Sequence, residues 1–182
     1  MRAAVGLLPN AIHATSGRVR FNGRETEASR PRALRENLGH GICLLLQNGR
    51  GALNPFHTIG WQIDRVLKNR GVRQARRAQA ESLLEAVGLP ARDFFRRYPH
   101  QLSGGQAQRV AMVIALATEP ELLIADEPTT ALDVTTERDV ISLLKHLCRE
   151  RDMALILITH NLGLVANNCD DVMIMHAGHV VE

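Results

Sequence analysis

Leu122-Leu123-Ile124-Ala125, the segment from Val134 to Arg149, and Ala154-Leu155-Ile156-Leu157-Ile158 decide the fold. Both short runs are apolar throughout, the mark of strands buried on both faces. Between them, Val140, Ile141, Leu144 and Leu147 recur at helical spacing and give that segment one apolar side. Strand, helix, strand in this order implies a parallel sheet covered by helices on both faces, an α/β fold. Downstream, Asn161 to Asn167 reads as a short helix and Val172-Met173-Ile174-Met175 as a further strand. Upstream, Ile42-Cys43-Leu44-Leu45-Leu46 is another buried-strand run. A helix follows Ser103 and runs to about Thr118, with Pro120 beyond its end.

The remaining segments read less uniformly. Ala3 to Leu8 reads as the end of a helix stopped by Pro9. Gly17 to Phe21 alternates like a strand and Asn22-Gly23 marks a turn. Pro31 to Leu38 predicts a helix with proline in its first turn. From Thr58 to Tyr98 the pattern is helical and polar, which predicts an insert of two or three helices. Ala75, Ala78, Leu83, Leu84 and Val87 are its expected apolar stripe.

Composition narrows the function. The 182 residues suit one domain, or one with a modest insert, and 45% hydrophobic content is ordinary for a globular protein. The longest apolar runs fall far short of the about 20 residues that a membrane span needs. Cys43, Cys148 and Cys169 are too few and too scattered for a disulfide framework or a structural zinc site. They fit a reducing compartment. The net charge is only +3, and Arg65, Lys68, Arg70, Arg73, Arg76 and Arg77 carry much of the excess. No aromatic residues interleave with them as a single-strand binder would need, so a solvated helix face is expected rather than a nucleic-acid site.

Chemistry gathers where strands end. Asp126 and Glu127 follow the run Leu122 to Ala125. Ligands of open α/β sheets bind at carboxyl ends of strands. An Asp there can hold hydrated Mg²⁺ beside phosphates, and a Glu can orient and deprotonate water. Thr159-His160 ends a second strand and Gln47 a third, so all three can converge on one sheet edge. Leu102-Ser103-Gly104-Gly105-Gln106 opens a helix with a capping serine. Its two glycines let an anion approach exposed backbone N–H groups.

Taken in order, the motifs resemble those of one family. They are Gln47 with Ala52-Leu53-Asn54-Pro55; Tyr98-Pro99-His100-Gln101-Leu102-Ser103-Gly104-Gly105-Gln106-Ala107-Gln108-Arg109; Leu122 to Asp133; and Ile158-Thr159-His160. This is similar to the nucleotide-binding subunit of an ABC transporter, with Q-loop, signature motif, Walker B, D-loop and H-loop. The resemblance implies a P-loop NTPase-like core with a helical subdomain, divided as 1–47 core, 48–110 helical subdomain and 111–182 core. It implies ATP and Mg²⁺ as cofactors. Asp126 would position Mg²⁺, Gln47 would bind at the nucleotide, sense Mg²⁺ and water and couple the sheet core to the helical subdomain, Glu127 would activate water, and His160 would contact the γ-phosphate. Ser103, Gly104, Gly105 and Gln106 would bind nucleotide held by the opposite subunit, and Asp133 would lie at the dimer interface. The implied partners are transmembrane permease subunits, a second ATPase subunit (identical or not) and, indirectly, a substrate-binding protein, but no nucleic acid. The implied location is peripheral, on the cytoplasmic face of the cell membrane.

Gln47 to Gln62 and Tyr-Pro-His-Gln-Leu-Ser-Gly-Gly resemble the peptide/nickel importer branch. Asn48 after Gln47 leans toward nickel or metallophore uptake, and Gly49 stands where proline is usual. One family element is missing: no Gly-x-x-x-x-Gly-Lys-Ser/Thr occurs, and the only lysines are Lys68 and Lys145. The expectation is therefore a core truncated at both ends that alone binds ATP poorly and hydrolyses it negligibly. The alternative is a degenerate, non-catalytic subunit that binds membrane partners and lends its signature motif in trans. An ABC ATPase of DNA repair or translation would need a long coiled coil, a zinc hairpin or a second cassette, and the sequence holds none.

Overall fold

The computed structural model describes residues 1–39, 41–130 and 132–182. Its centre is a parallel sheet of β3 (Ile42–Leu45), β4 (Leu122–Asp126) and β5 (Ala154–Ile158), in that spatial order. The register is level: Leu45 faces Ala125, and Asp126 faces Ile158. All three carboxyl ends therefore open on one edge.

Ahead of the sheet, β1 (Arg18–Phe21) and β2 (Arg24–Glu27) form an antiparallel hairpin. Asn22 and Gly23 both have positive φ, 48° and 76°, as a two-residue hairpin loop matching strand twist requires. A short helix, α1 (Pro31–Arg35), leads to β3. The segment after β3 holds α2 (Ile59–Asn69), α3 (Arg76–Ala86) and α4 (Ala91–Phe94), the expected helical insert. The long α5 (Gly104–Leu116) precedes β4, and α6 (Val134–Glu150) connects β4 to β5. Beyond β5 lie α7 (Leu162–Asn168) and a hairpin of β6 (Met175–His176) and β7 (His179–Val180).

Alternation along β4 sorts the core. Leu123 and Ala125 join a large cluster with Val110, Val113, Leu144 and Leu147 from α5 and α6. The same cluster continues into the insert through Ile59, Ile63, Leu67 and Leu84. Full burial of each such aliphatic side chain contributes about 1.5–3 kcal/mol. On the opposite face Ile42 and Ile124 pack with Val5, Phe21 and Leu38. That face is covered by the N-terminal turn and the hairpin side, not by a second layer of helices as the sequence suggests.

Three further expectations change. Residues Met1 to Leu7 form hydrogen-bonded turns rather than an assigned helix. The stop is Gly6, not Pro9: φ is +72°, Leu7 N–H reaches Arg2 O at 2.8 Å, and Gly6 N–H reaches Ala3 O at 3.2 Å. This is a Schellman closure. The buried stripe of α3 is Ala80, Leu83, Leu84 and Val87, because 80, 83, 84 and 87 share one helical face; Ala75 and Ala78 are exposed. Val172 to Met175 does not extend the parallel sheet; Met175 instead pairs with Val180 in the separate, fully exposed β6–β7 hairpin.

The basic stretch behaves as a solvated helix face with local partners. Arg70 pairs with Glu119 at 2.7 Å and Arg76 with Asp64 at 2.7 Å. Arg77 pairs with Glu81 and lies 3.8 Å over the Phe95 ring, and Arg65 lies over Trp61. Among the described residues no helix is long and apolar enough to cross a membrane.

Candidate active site

The three strand ends meet at one carboxylate. Glu127 follows β4 with φ at +47°, a left-handed conformation unusual for a residue with a side chain. Its backbone N–H donates to Ile158 O at 2.9 Å, which fixes the turn against the end of β5. Gln47, two residues beyond β3, donates from Nε2 to Glu127 Oε2 at 2.9 Å. His160, two residues beyond β5, places Nδ1 3.0 Å from Glu127 Oε1. The parallel register thus brings together residues 80 and 33 positions apart from Glu127.

Thr130 completes the group and escapes the sequence reading. Its Oγ1 donates to Glu127 Oε2 at 2.9 Å, and its N–H closes a turn onto Glu127 O. The available signal is the hydroxyl three residues after Glu127, a spacing that permits such a turn. The His160 hydrogen bond, then that of Thr130, holds the Glu127 carboxyl below the usual carboxylate range. Glu127 is therefore ionised at neutral pH, a hydrogen-bond acceptor in place. We expect its carboxyl ¹³C titration to fall below the ordinary range, and to move up in His160→Ala and, less, in Thr130→Val. The stability it contributes is full above the ordinary carboxylate value and is lost as pH falls through the lowered one. A Glu127 titration unmoved in both variants would refute this wiring.

The signature segment forms a second group. Ser103 caps α5: its Oγ accepts from Gln106 N at 3.3 Å, and Gln106 Oε1 accepts from Ser103 N at 3.0 Å. This capping box leaves Ser103 and Gly104 exposed at the helix start. The two glycines sit against the beginning of α6. A Cβ on Gly105 would lie 2.9 Å from Thr136 Cγ2, and one on Gly104 would lie 3.4 Å from Leu132 Cδ2. Asp133 caps α6 by accepting from Thr136 N at 3.0 Å and Thr136 Oγ1 at 2.7 Å. Those bonds from Thr136 hold the Asp133 carboxyl low. Ala131, within the expected D-loop, lies outside the described residues. Among the described residues no hydrogen bond joins the Ser103 and Glu127 groups.

The loop after β3 is seated on α5. A Cβ on Gly49 would come within 2.8 Å of Gln108 Cα and 2.9 Å of Gln108 N, so no side chain fits there. That accounts for glycine at this position. Arg50 donates to Leu102 O, immediately before the signature serine.

The comparisons with known proteins follow this geometry. The family model described as ABC transporter matches residues 5–130. The chain belongs to the ABC transporter family. It is 42% identical to the dipeptide transport ATP-binding protein DppD of Escherichia coli over 99% of this chain and 56% of that protein. It is also 42% identical to the oligopeptide transport ATP-binding protein OppD of Salmonella typhimurium, over 99% of this chain and 54% of that protein. The chain thus spans little more than half the length of these relatives. Among solved structures, cbiO1 from Clostridium perfringens, part of the cbiONQ transporter complex, superimposes over 100% of this chain and 69% of its own. The TM-score there is 0.82 at 27% identity. A dimeric ATP-binding cassette in a post-hydrolysis state with ADP and Pi superimposes over 85% of this chain and 67% of its own, with TM-score 0.70 and 32% identity. The fold is therefore that of an ABC ATPase, a family that hydrolyses ATP.

The residues of the cassette fit a metal that is shared with phosphate. Asp126 ends β4 half-buried, and Gln47 is bonded through its amide nitrogen, which leaves its carbonyl oxygen for a cation. Among the described residues no group of three or more His, Cys, Asp or Glu could cage a metal. Mg²⁺ suits such a sparse site, since it takes one or two carboxylates and completes its shell with water and substrate phosphates. The thiols of Cys43 and Cys148 are no candidates for nucleophiles: burial pushes Cys148 up to about 11 and raises Cys43 as well.

Proposed function

We propose that this cassette belongs to an ATP-hydrolysing subunit of a peptide importer and contributes the γ-phosphate side of the ATP site. The convergence of Gln47, Thr130 and His160 on Glu127 carries this reading. Asp126 would hold Mg²⁺, which would supply neutralisation of phosphate charge. Glu127 accepts a hydrogen bond from the attacking water and takes its proton. His160, exposed beside it, donates to a γ-phosphate oxygen. Gln47 links this cluster to the loop seated on α5, so the helical segment within 48–110 senses the state of the site. Ser103, Gly104, Gly105 and Gln106 face a nucleotide held by a second ATPase subunit, with Asp133 at the shared interface. The separation of the signature group from Glu127 within one chain favours this assignment in trans.

The phosphate loop that completes the site is not in these 182 residues. The intact Glu127 cluster favours hydrolysis over mere donation of the signature motif. Peptide is the cargo proposed, because the relatives named above carry dipeptides and oligopeptides. The nickel reading of Asn48 draws no support from those names. The cassette works peripherally on the cytoplasmic face of the membrane, on permease subunits that receive cargo from a binding protein. Phe56 and Trp61 stand exposed beside the loop after Gln47, Phe56 at 84%, and form the docking side. A photo-crosslinker at Phe56, in cells making the whole transporter, should capture a polytopic membrane protein. Capture of ribosomal protein or DNA alone would overturn the transporter reading.

A further inference from the structure

A second set of bonds links the two loops that carry Glu127 and His160. Thr129, two residues past Glu127, is buried at 6% exposure. Its Oγ1 donates to Glu137 Oε1 at 2.7 Å. Glu137 lies in the first turn of α6, half-buried. Its Oε2 accepts from Asn161 Nδ2 at 3.3 Å. Asn161 follows His160 directly and caps α7 through Oδ1, which accepts from Gly163 N at 3.1 Å. One carboxylate therefore holds the turn after Glu127 and the residue after His160 at once.

The direct bond between Glu127 and His160 cannot serve that purpose through a catalytic cycle. Both Glu127 oxygens are engaged, Oε2 by Gln47 and Thr130 and Oε1 by His160. Oε1 keeps one acceptor site for a water, but a neutral imidazole has a single N–H, so His160 gives up its bond to Glu127 when it donates to phosphate. His160 is the least restrained, with its side chain 80% exposed. Exposed ion pairs are weak, whereas hydrogen bonds to a carboxylate sheltered from water are stronger. We infer that Glu137 is a positioning residue: through Thr129 and Asn161 it keeps Glu127 and His160 in register when their own contact opens. The inference rests on the roles proposed above for those two residues. It also ties both loops to α6, whose cap is Asp133, so a shift of α6 at a subunit interface moves the pair together.

The test uses the 182-residue chain and ¹⁵N NMR of the Asn161 side-chain amide and the His160 imidazole. Glu137→Ala should displace both signals, with the fold retained by circular dichroism. Glu137→Gln should return them toward the parent positions, since its carbonyl can accept from Asn161 while its amide donates to the Thr129 hydroxyl. Glu150→Ala, at an exposed pair with His146 on the same helix, is the control. If Glu137→Ala does not fold, Thr129→Val removes one bond at nearly constant volume and should displace the same signals. Within the assembled transporter, Glu137→Ala should lower kcat about tenfold with KM for ATP unchanged. Asn161 and His160 signals that move no more than in the control would overturn the inference. So would an unchanged kcat. Displaced signals with a fully active Glu127→Gln enzyme would instead overturn the proposed roles of the catalytic pair and leave the tie standing.

Discussion

Glu127→Gln should reduce ATP turnover of the assembled transporter by about 10²–10³-fold while leaving ATP-driven association of the two subunits intact. The substitution is nearly isosteric, so the strand-end turn survives. An amide oxygen in place of Oε2 still accepts from Gln47 Nε2 and Thr130 Oγ1. The amide nitrogen then faces His160 Nδ1, which can present its lone pair by changing tautomer. What disappears is the anionic acceptor proposed to orient water and remove its proton, and positioned general bases contribute about 10²–10⁴-fold. Loss of kcat with retained nucleotide binding separates this role from a structural one. Turnover equal to the parent enzyme would remove Glu127 from the chemistry. The lowered carboxyl titration makes Glu127 a weak base in solution terms. The mechanism then depends on placing the water rather than on raw basicity, so His160 and Thr130 variants should act on the same step.

Much of this site is legible in one dimension because parallel strands order it. Continuous apolar runs fix β3, β4 and β5, and each run is followed by the residue that matters, so alignment of the strands suffices to bring Gln47, Glu127 and His160 together. Capping chemistry is equally local, and Ser103 announces α5 before any tertiary information enters. What escapes is decided by tertiary packing. Thr130 and Thr129 are adjacent and identical, yet one hydroxyl turns to Glu127 and the other to Glu137. Nothing in the two letters distinguishes them; the left-handed turn at Glu127 does. The contact of Gly105 with Thr136 is another such case, because it depends on how α5 and α6 cross. The last apolar run misleads for a simpler reason. Val172 to Met175 has the composition of a buried strand, but composition does not supply a pairing edge, and the residues around Met175 pair with Val180 and its neighbours instead.

Gly60→Ala should destabilise the cassette by about 2 kcal/mol, against the ordinary direction of that exchange. In an exposed helix, replacing glycine by alanine stabilises by about 1 kcal/mol. Gly60 is the second residue of α2, and it is buried. A Cβ there would lie 2.1 Å from Phe95 Cε1, 2.2 Å from Cδ1 and 2.5 Å from Cγ. The Cγ contact is the decisive one, since it lies near the backbone and a ring flip about its own axis does not relieve it. Neither side can retreat freely. Gly60 N–H donates to Phe95 O at 2.9 Å and Ile59 N–H to Arg97 O at 2.9 Å, which clamps the start of α2 to the segment after α4. The Arg77 guanidinium covers the ring from outside at 3.8 Å. Overpacking of a fixed core costs about 1–3 kcal/mol, and this clamped contact belongs at the upper end, so the propensity gain is outweighed. In urea the midpoint should fall with little change in slope. Truncating the ring in Gly60→Ala/Phe95→Leu should restore part of the loss, a coupling that a general helix effect cannot produce. A Gly60→Ala protein as stable as the parent would mean that α2 and the Phe95 segment are not held together as described, and that the anchoring of the helical segment to the sheet lies elsewhere.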